Sequence, residues 1–293
     1  MTNIDFHVHI TPPDITANWR KYAEKEPWFS LLSESPQNRF ACAEDIVAAL
    51  SAPRVENSPQ VQEKSLKFDK AVVFGFGFRD IGLCRYVNDY VIEKTRQYPD
   101  KLIGFISVPP GSADACKEIG RCYGAGLKGV GELFPTGQGF NPGEPKETAA
   151  MTGACKELGL PVLIHSSEPV GRNYPGKDNC SLRQFEKFIE NNPDIDIVLA
   201  HWGGGLFFYE AMPELRKKLR NVYYDTAAAP FLYDARIYRA AKALDLTEKI
   251  LFGSDFPLLP HSRYLAALDE SGFSEEEKNL VLGGNAERLL GFR

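Results

Sequence analysis

No stretch of this 293-residue chain stays apolar for the roughly 18 residues that a membrane-spanning helix needs. The first residues run straight into a strand-like segment, so no cleaved leader is expected either. Its six cysteines (Cys42, Cys84, Cys116, Cys122, Cys155, Cys180) are scattered and form no CxxC pair. That argues against a disulfide frame or a zinc knuckle and points to reduced thiols in the cytoplasm. Charge of one sign is not in excess: 34 basic and 39 acidic residues leave a formal net charge of −5. There is no electrostatic case for nucleic acid or an anionic membrane surface, so the expected partner is a small-molecule substrate, with a homodimer left open. Histidine is scarcest of all the titratable residues, with five in the chain.

The rest of the composition is ordinary for a globular enzyme, with 43% hydrophobic and 25% charged residues. Eight short apolar runs can be counted, at 4–9, 71–76, 102–108, 127–133, 162–165, 195–200, 222–224 and 250–253. Near-continuous β-branched and aromatic runs of this kind suit strands covered on both faces. Amphipathic stretches lie between them, at 86–96, 113–123, 146–158, 182–190, 207–219 and 236–243, with further helices expected at 262–271 and 275–290. Alternating strand and helix favours parallel pairing through right-handed crossovers. Eight such units predict a single α/β domain over 1–293, a closed (β/α)8 TIM barrel. A doubly wound open sheet is the alternative. The repeat is interrupted once, by a helical insertion after strand 1 at about 11–67, which carries Trp19, Tyr22, Trp28 and Phe29 and a helix near 43–50. Its position predicts a cover over part of the C-terminal mouth with an aromatic side chain, Trp28, in the pocket wall.

Four of the five histidines fall where these runs end. His7 and His9 are two apart, so on a strand they point to the same face and can grip one ion. His165 ends the fifth run, His201 the sixth, and Asp255 follows the eighth. In a barrel all these ends meet at one mouth, where catalytic residues gather. A lone buried histidine is more often a hydrogen-bonded core residue; five convergent donors read as a divalent metal site. Imidazole and carboxylate suit zinc first, with manganese or iron as alternatives.

The motifs Asp5-Phe6-His7-Val8-His9, His165-Ser166-Ser167-Glu168-Pro169, His201-Trp202-Gly203-Gly204, Phe252-Gly253-Ser254-Asp255-Phe256-Pro257 and Gly284-Asn285-Ala286-Glu287-Arg288 resemble those of the amidohydrolase superfamily. The similarity is greatest to the amidohydrolase-related branch that includes the aminocarboxymuconate-semialdehyde decarboxylases. The resemblance implies that His7, His9 and His165 bind the metal. It implies Asp255 as a further ligand or as proton acceptor from metal-bound water, with His201 polarising that water or the substrate and ligating only a second ion. Gly131-Glu132 is similar to an element of the TatD-like nucleases, in which the glutamate joins a two-metal site. The decarboxylase branch usually lacks this acid. Glu132 is therefore a candidate ligand, and an internal pairing with Lys128 is its rival role.

Substrate contacts are sought in the loops. Arg172 and Arg79 could each pair a carboxylate in a bidentate manner. Trp202 and Tyr174, with Phe134, could wall an apolar pocket. His261 reads as a surface or capping residue. The leading expectation is a metal-dependent hydrolase of an amide, lactone or ester-like bond, with Asp255 and His201 catalytic. The alternative is a metal-dependent, non-oxidative decarboxylase of an aromatic or unsaturated acid. A barrel without activity, acting as a scaffold, is the third reading, which the intact donor set disfavours.

Overall fold

The computed structural model describes residues 2–51 and 67–292, so the stretch 52–66 of the expected insertion lies outside the described residues. Eight strands follow the eight apolar runs: β1 (Ile4–His9), β2 (Lys70–Phe74), β3 (Leu102–Gly104), β4 (Val130–Leu133), β5 (Val162–Ile164), β6 (Ile197–Leu199), β7 (Val222–Asp225) and β8 (Ile250–Leu251). Each pairs in parallel with the next, in one run from β1 to β3 and another from β4 to β8. Parallel bridges close both seams, Ile106 with Val130 and Val8 with Phe256. Phe6 N–H donates across one seam to the Phe252 carbonyl (2.7 Å), and Gly131 N–H across the other to Ile106 (2.9 Å). The ring is a (β/α)8 TIM barrel. Six of the eight strands are shorter than the runs that announced them, whereas β1 matches its run and β7 extends one residue beyond its own. Tilted strands in a closed barrel pair mainly around the waist, and the remainder turns outward into loops at the rims.

Two apolar layers hold the barrel. Ile4, Phe6, Val72, Phe74, Phe105, Leu163, Val198 and Leu251 fill one cluster. Val73, Val130, Ile164 and Leu199 meet helix residues such as Val91, Ile119 and Phe185 in the other. Helices at Ile81–Gln97, Ala115–Gly124, Pro145–Leu158, Leu182–Asn191 and Arg236–Ala243 fall where amphipathic periodicity places them. The first is capped by the Asp80 carboxylate and the fourth by a Ser181–Gln184 capping box. The single helix expected at 207–219 is broken, because Pro213 cannot donate to a preceding turn and starts a new helix, Pro213–Lys218. The helix expected at 275–290 breaks at Gly283, where a Cβ would lie 1.8 Å from the Thr2 carbonyl oxygen. Among the described residues no helix is long and apolar enough to cross a membrane.

The described part of the insertion folds as four short helices, α1 (Pro13–Ala17), α2 (Trp19–Ala23), α3 (Pro27–Ser33) and α4 (Ala43–Ser51). Ile15, Ala23 and Phe29 pack with Phe78, Cys84 and Val87 beyond the end of β2. The buried Glu26 carboxylate accepts from the backbone N–H groups of Arg79 (3.0 Å) and Asp80 (2.9 Å), which pins the insertion to the mouth side of the barrel.

Candidate metal centre and its pocket

Two register shifts build the site. The pairing of β1 with β2 slips between Asp5 and Val8, so Phe6 stays in the barrel's apolar interior while His7 and His9 turn toward the mouth. The pairing of β4 with β5 slips between Val130 and Leu133, around Glu132. Irregularities of this kind commonly re-aim side chains beside active sites. Gly131 adopts φ 131° there, and a Cβ on it would meet the Leu163 carbonyl oxygen at 2.2 Å, so only glycine fits the approach.

The inward-facing atoms then converge. His7 Nε2 lies 3.3 Å from His9 Nε2, and Glu132 Oε2 is 3.4 Å and 3.3 Å from these two nitrogens. Asp255 Oδ1 is 3.7 Å from His7 Nε2 and 3.5 Å from His9 Nε2. On the other side of Glu132, Oε1 is 2.9 Å from His165 Nδ1 and 3.4 Å from His201 Nε2, which are 3.1 Å apart. Donors at about 2.0–2.2 Å from one ion, at angles of about 90–110°, stand roughly 2.9–3.6 Å from each other. The His7–His9, His7–Glu132, His9–Glu132 and His9–Asp255 separations match that spacing, and the His7–Asp255 edge is slightly long.

The outer nitrogens explain why this donor set suits a cation. His7 Nδ1 faces the Asp225 carboxylate at 2.8 Å, His201 Nδ1 faces the Ala227 carbonyl at 3.0 Å, and His165 Nε2 faces the Gly176 carbonyl at 2.9 Å. Carbonyls and carboxylates only accept, so each of these outer nitrogens carries the hydrogen. The inward nitrogens of all three neutral rings are then lone pairs, aimed at one another and at Glu132. Facing lone pairs need a metal ion or protons between them. Asp225, fully buried on β7, also accepts from the backbone N–H of His201 (2.9 Å) and Ala227 (3.0 Å), so one carboxylate orients two of the histidines. His201 and Asp255 hold φ of 54° and 59°, a left-handed backbone that is uncommon outside glycine and typical of strained functional positions.

The same crowding sets the proton affinities of the metal-free site. Burial opposes charge on His7, but the Glu132 and Asp225 carboxylates outweigh it and hold its pKa well above the usual imidazole range. Burial likewise opposes charge on His201, and Glu132 and Asp255 push it up to about 9. Glu132 is desolvated too, yet His7, His165 and His201 keep it ionised well below the ordinary carboxylate range. The sign of the resulting pH dependence follows. The Glu132 contribution is present above its unfolded value of 4.5 and lost as pH falls; the His201 contribution is full below 6.5 and lost as pH rises through about 9. Metal-free protein is therefore expected to lose melting temperature between about pH 6.5 and 9, whereas protein loaded with zinc or manganese should change little there. Differential scanning fluorimetry across that range checks this, and a flat metal-free profile would refute it.

The cluster floors a cavity of about 510 Å³ at the C-terminal mouth. Phe76 stacks on His9 (ring centroids 5.3 Å apart) and Phe134 on His165 (5.1 Å), and both rings face the cavity. Arg172 and Tyr174 line it from the loop after β5. Two other expected substrate contacts do not. Trp202 is fully buried against Phe207 and Tyr238, because the left-handed turn at His201 and Trp202 sends the indole back under the strand end. Arg79 spends its guanidinium on the Gly137 and Thr136 carbonyls (2.7 and 3.2 Å) and braces the β4 turn instead. Trp28 likewise packs beside Gly137 and Phe134, so the insertion supplies Leu32, Ser35, Gln37, Asn38 and Arg39 to the wall rather than an aromatic. Lys128 is exposed and does not pair with Glu132. His261 is no surface residue: its Nε2 lies 2.7 Å from Asp5, which also accepts from the backbone N–H and the hydroxyl of Ser254, next to Asp255. Asp225 had no signal in the sequence beyond its place at the end of a strand run.

The chain belongs to the amidohydrolase family, whose sequence model matches residues 4–292, and it is an enzyme of that superfamily. It is similar to 2-amino-3-carboxymuconate-6-semialdehyde decarboxylase of Dictyostelium discoideum, 24% identical over an alignment 341 positions long that covers 98% of this chain and 91% of that protein. Its fold resembles 5-carboxyvanillate decarboxylase of Novosphingobium aromaticivorans, in a complex with manganese and 4-hydroxy-3-methoxy-5-nitrobenzoic acid (TM-score 0.74, 16% identity, 99% of this chain and 96% of that one). It also resembles 2,6-dihydroxybenzoate decarboxylase from Rhizobium (TM-score 0.69, 16% identity, 100% and 99% covered). Each of these three relatives is itself named as a decarboxylase.

Proposed function

We propose that the protein is a metal-dependent, non-oxidative decarboxylase of a planar aromatic or unsaturated carboxylic acid. The observation that carries this reading is a set of inward lone pairs and carboxylates at the floor of a phenylalanine-walled pocket, in a chain similar in sequence to a decarboxylase. His7, His9 and Asp255, with Glu132, would hold the ion, and His165 would join them from the other oxygen of Glu132; zinc suits this nitrogen-rich set, and manganese is the alternative found in one relative. When bound, the ion supplies a fixed positive charge that binds acid oxygens and stabilises negative charge.

The protein's own groups do the remainder. Phe76 and Phe134 hold a flat, conjugated skeleton over the cluster, and Arg172 attracts carboxylates to the mouth. The carbon–carboxylate bond breaks, carbon dioxide leaves, and the electron pair left on carbon takes up a proton. His201, whose Nε2 faces the cavity floor, is placed to deliver that proton, and Asp255 to move one to or from the substrate. The six cysteines are unpaired, which supports a reducing compartment, the cytoplasm.

Incubation of metal-loaded enzyme with 2,6-dihydroxybenzoate, 5-carboxyvanillate and related acids in deuterated water tests the proposal. The expected result is carbon dioxide release with one deuterium incorporated at the vacated carbon. Acid formed from lactones or amides, with ¹⁸O taken from labelled water, would overturn it in favour of hydrolysis. One observation keeps that second reading alive: Glu132 turns one oxygen to His7 and His9 and the other to His165 and His201. A count of two metal ions per chain by elemental analysis would favour hydrolysis, and one ion decarboxylation.

A further inference from the structure

Between β5 and the helix Leu182–Asn191 the chain has no strand or helix, yet this loop carries Arg172, Tyr174 and Gly176 into the pocket wall. A connection this long without regular structure is uncommon unless it serves a site, and it needs specific ties to hold one shape. Several of its ties are internal. Lys177 Nζ donates to the carbonyls of Val170 (2.6 Å) and Arg172 (3.0 Å), and the Tyr174 hydroxyl to Glu168 (3.0 Å). Asp178 reaches outward. The residue is 5% exposed, and its carboxylate accepts from Thr136 N–H (3.0 Å) and the Thr136 hydroxyl (2.7 Å) in the turn after β4, and from Cys180 N–H (2.7 Å). Its own N–H donates to Ser167 Oγ at 2.9 Å.

Both ends of this clasp reach one imidazole. Ser167 Oγ lies 3.2 Å from His165 Nε2, and the carbonyl of Gly176, two residues before Asp178, accepts from the same nitrogen at 2.9 Å. We propose that Asp178 is a positioning residue for His165. By locking the β5 loop to the β4 turn it holds the Gly176 carbonyl and Ser167 hydroxyl against the outer face of the ring. The hydrogen then stays on Nε2, and the Nδ1 lone pair stays aimed at Glu132 and His201. The same lock sets where Arg172 and Tyr174 stand over the cavity. Asn179 N–H adds a donation to the Thr136 hydroxyl (3.2 Å), so the loop meets the β4 turn through Asp178 and Asn179 on one side and Thr136 on the other.

The inference rests on the metal reading only for its second measurement. The first is ¹⁵N NMR of histidine-labelled, metal-free full-length protein, with the His165 signal assigned by its loss in His165→Gln. Wild type should show the Nε2-protonated form of His165; Asp178→Ala and Thr136→Val should move it toward a mixture of tautomers, with Asp178→Asn intermediate. The second is the manganese dissociation constant by electron paramagnetic resonance, expected to rise about tenfold in the same variants, as is typical when the partner of a metal-binding histidine is removed. Folded Asp178→Ala and Thr136→Val proteins with wild-type His165 shifts would overturn the proposal. If Asp178→Ala does not fold, Thr136→Val, nearly isosteric and only partly buried, decides alone. Shifted tautomers with unchanged manganese affinity would leave Asp178 as the positioning residue and remove His165 from the ligand set.

Discussion

Asp255→Asn is expected to keep the fold and lose turnover by about 10²- to 10⁴-fold, the usual contribution of a general acid–base group. The substitution is chosen for its backbone. Asp255 sits at φ 59°, and asparagine is among the few residues that tolerate this left-handed region, whereas alanine would add strain of its own. The amide oxygen can still approach a metal, but the group can no longer take up a proton. Turnover of any acid found to be a substrate, measured with metal content and circular dichroism, separates the two roles. Near-normal turnover with metal bound would remove Asp255 from the proton path. His201→Asn is the matching control, because His201 shares the left-handed backbone at φ 54°.

The second large effect is expected at Asp225, which does not itself line the cavity. Its Oδ2 accepts from His7 Nδ1, and its Oδ1 from the N–H groups of His201 and Ala227. Asp225→Asn cannot satisfy both sides. With its oxygen kept toward the two backbone donors, its NH₂ faces His7 Nδ1–H, donor against donor. His7 must then shift its hydrogen to Nε2, the nitrogen that faces His9 and Glu132. With the amide flipped, the NH₂ faces two N–H groups instead. Either way the cost falls on the inward lone pair, and metal affinity should drop about 10- to 100-fold. Isothermal titration with zinc and manganese checks this. Wild-type affinity in a correctly folded Asp225→Asn protein would show that Asp225 serves only to hold β7.

Much of this arrangement was legible before any coordinates. The eight strands and most of the crossover helices declare themselves through buried runs and 3.6-residue periodicity, which are local properties of the chain. His7, His9, His165, His201 and Asp255 could be grouped because a barrel brings all strand ends of one polarity together, whatever their distance in sequence. Where helices were misread, the cause was a single residue acting on the backbone: Pro213 at one break, Gly283 at another. Trp202 and Arg79 were misplaced for another reason. Which way a side chain leaves a strand end depends on the turn that follows, and the left-handed turn at His201 and Trp202 has no composition that marks it.

The sequence thus settled fold class, strand order and the candidate donors, because periodicity and strand-end position survive in one dimension. The tertiary structure decided how those donors are held. Asp225, Asp178, Asp5 and His261 act through hydrogen bonds to residues 24 to 256 positions away or to loops whose course no local pattern encodes. The register shifts in β1 and β4 that aim His7, His9 and Glu132 likewise depend on the neighbouring strand. Whether Glu132 faces Lys128 or four imidazoles is a question of one residue's turn along β4. Such a turn is fixed by packing against Leu163, not by the identity of the residues beside it.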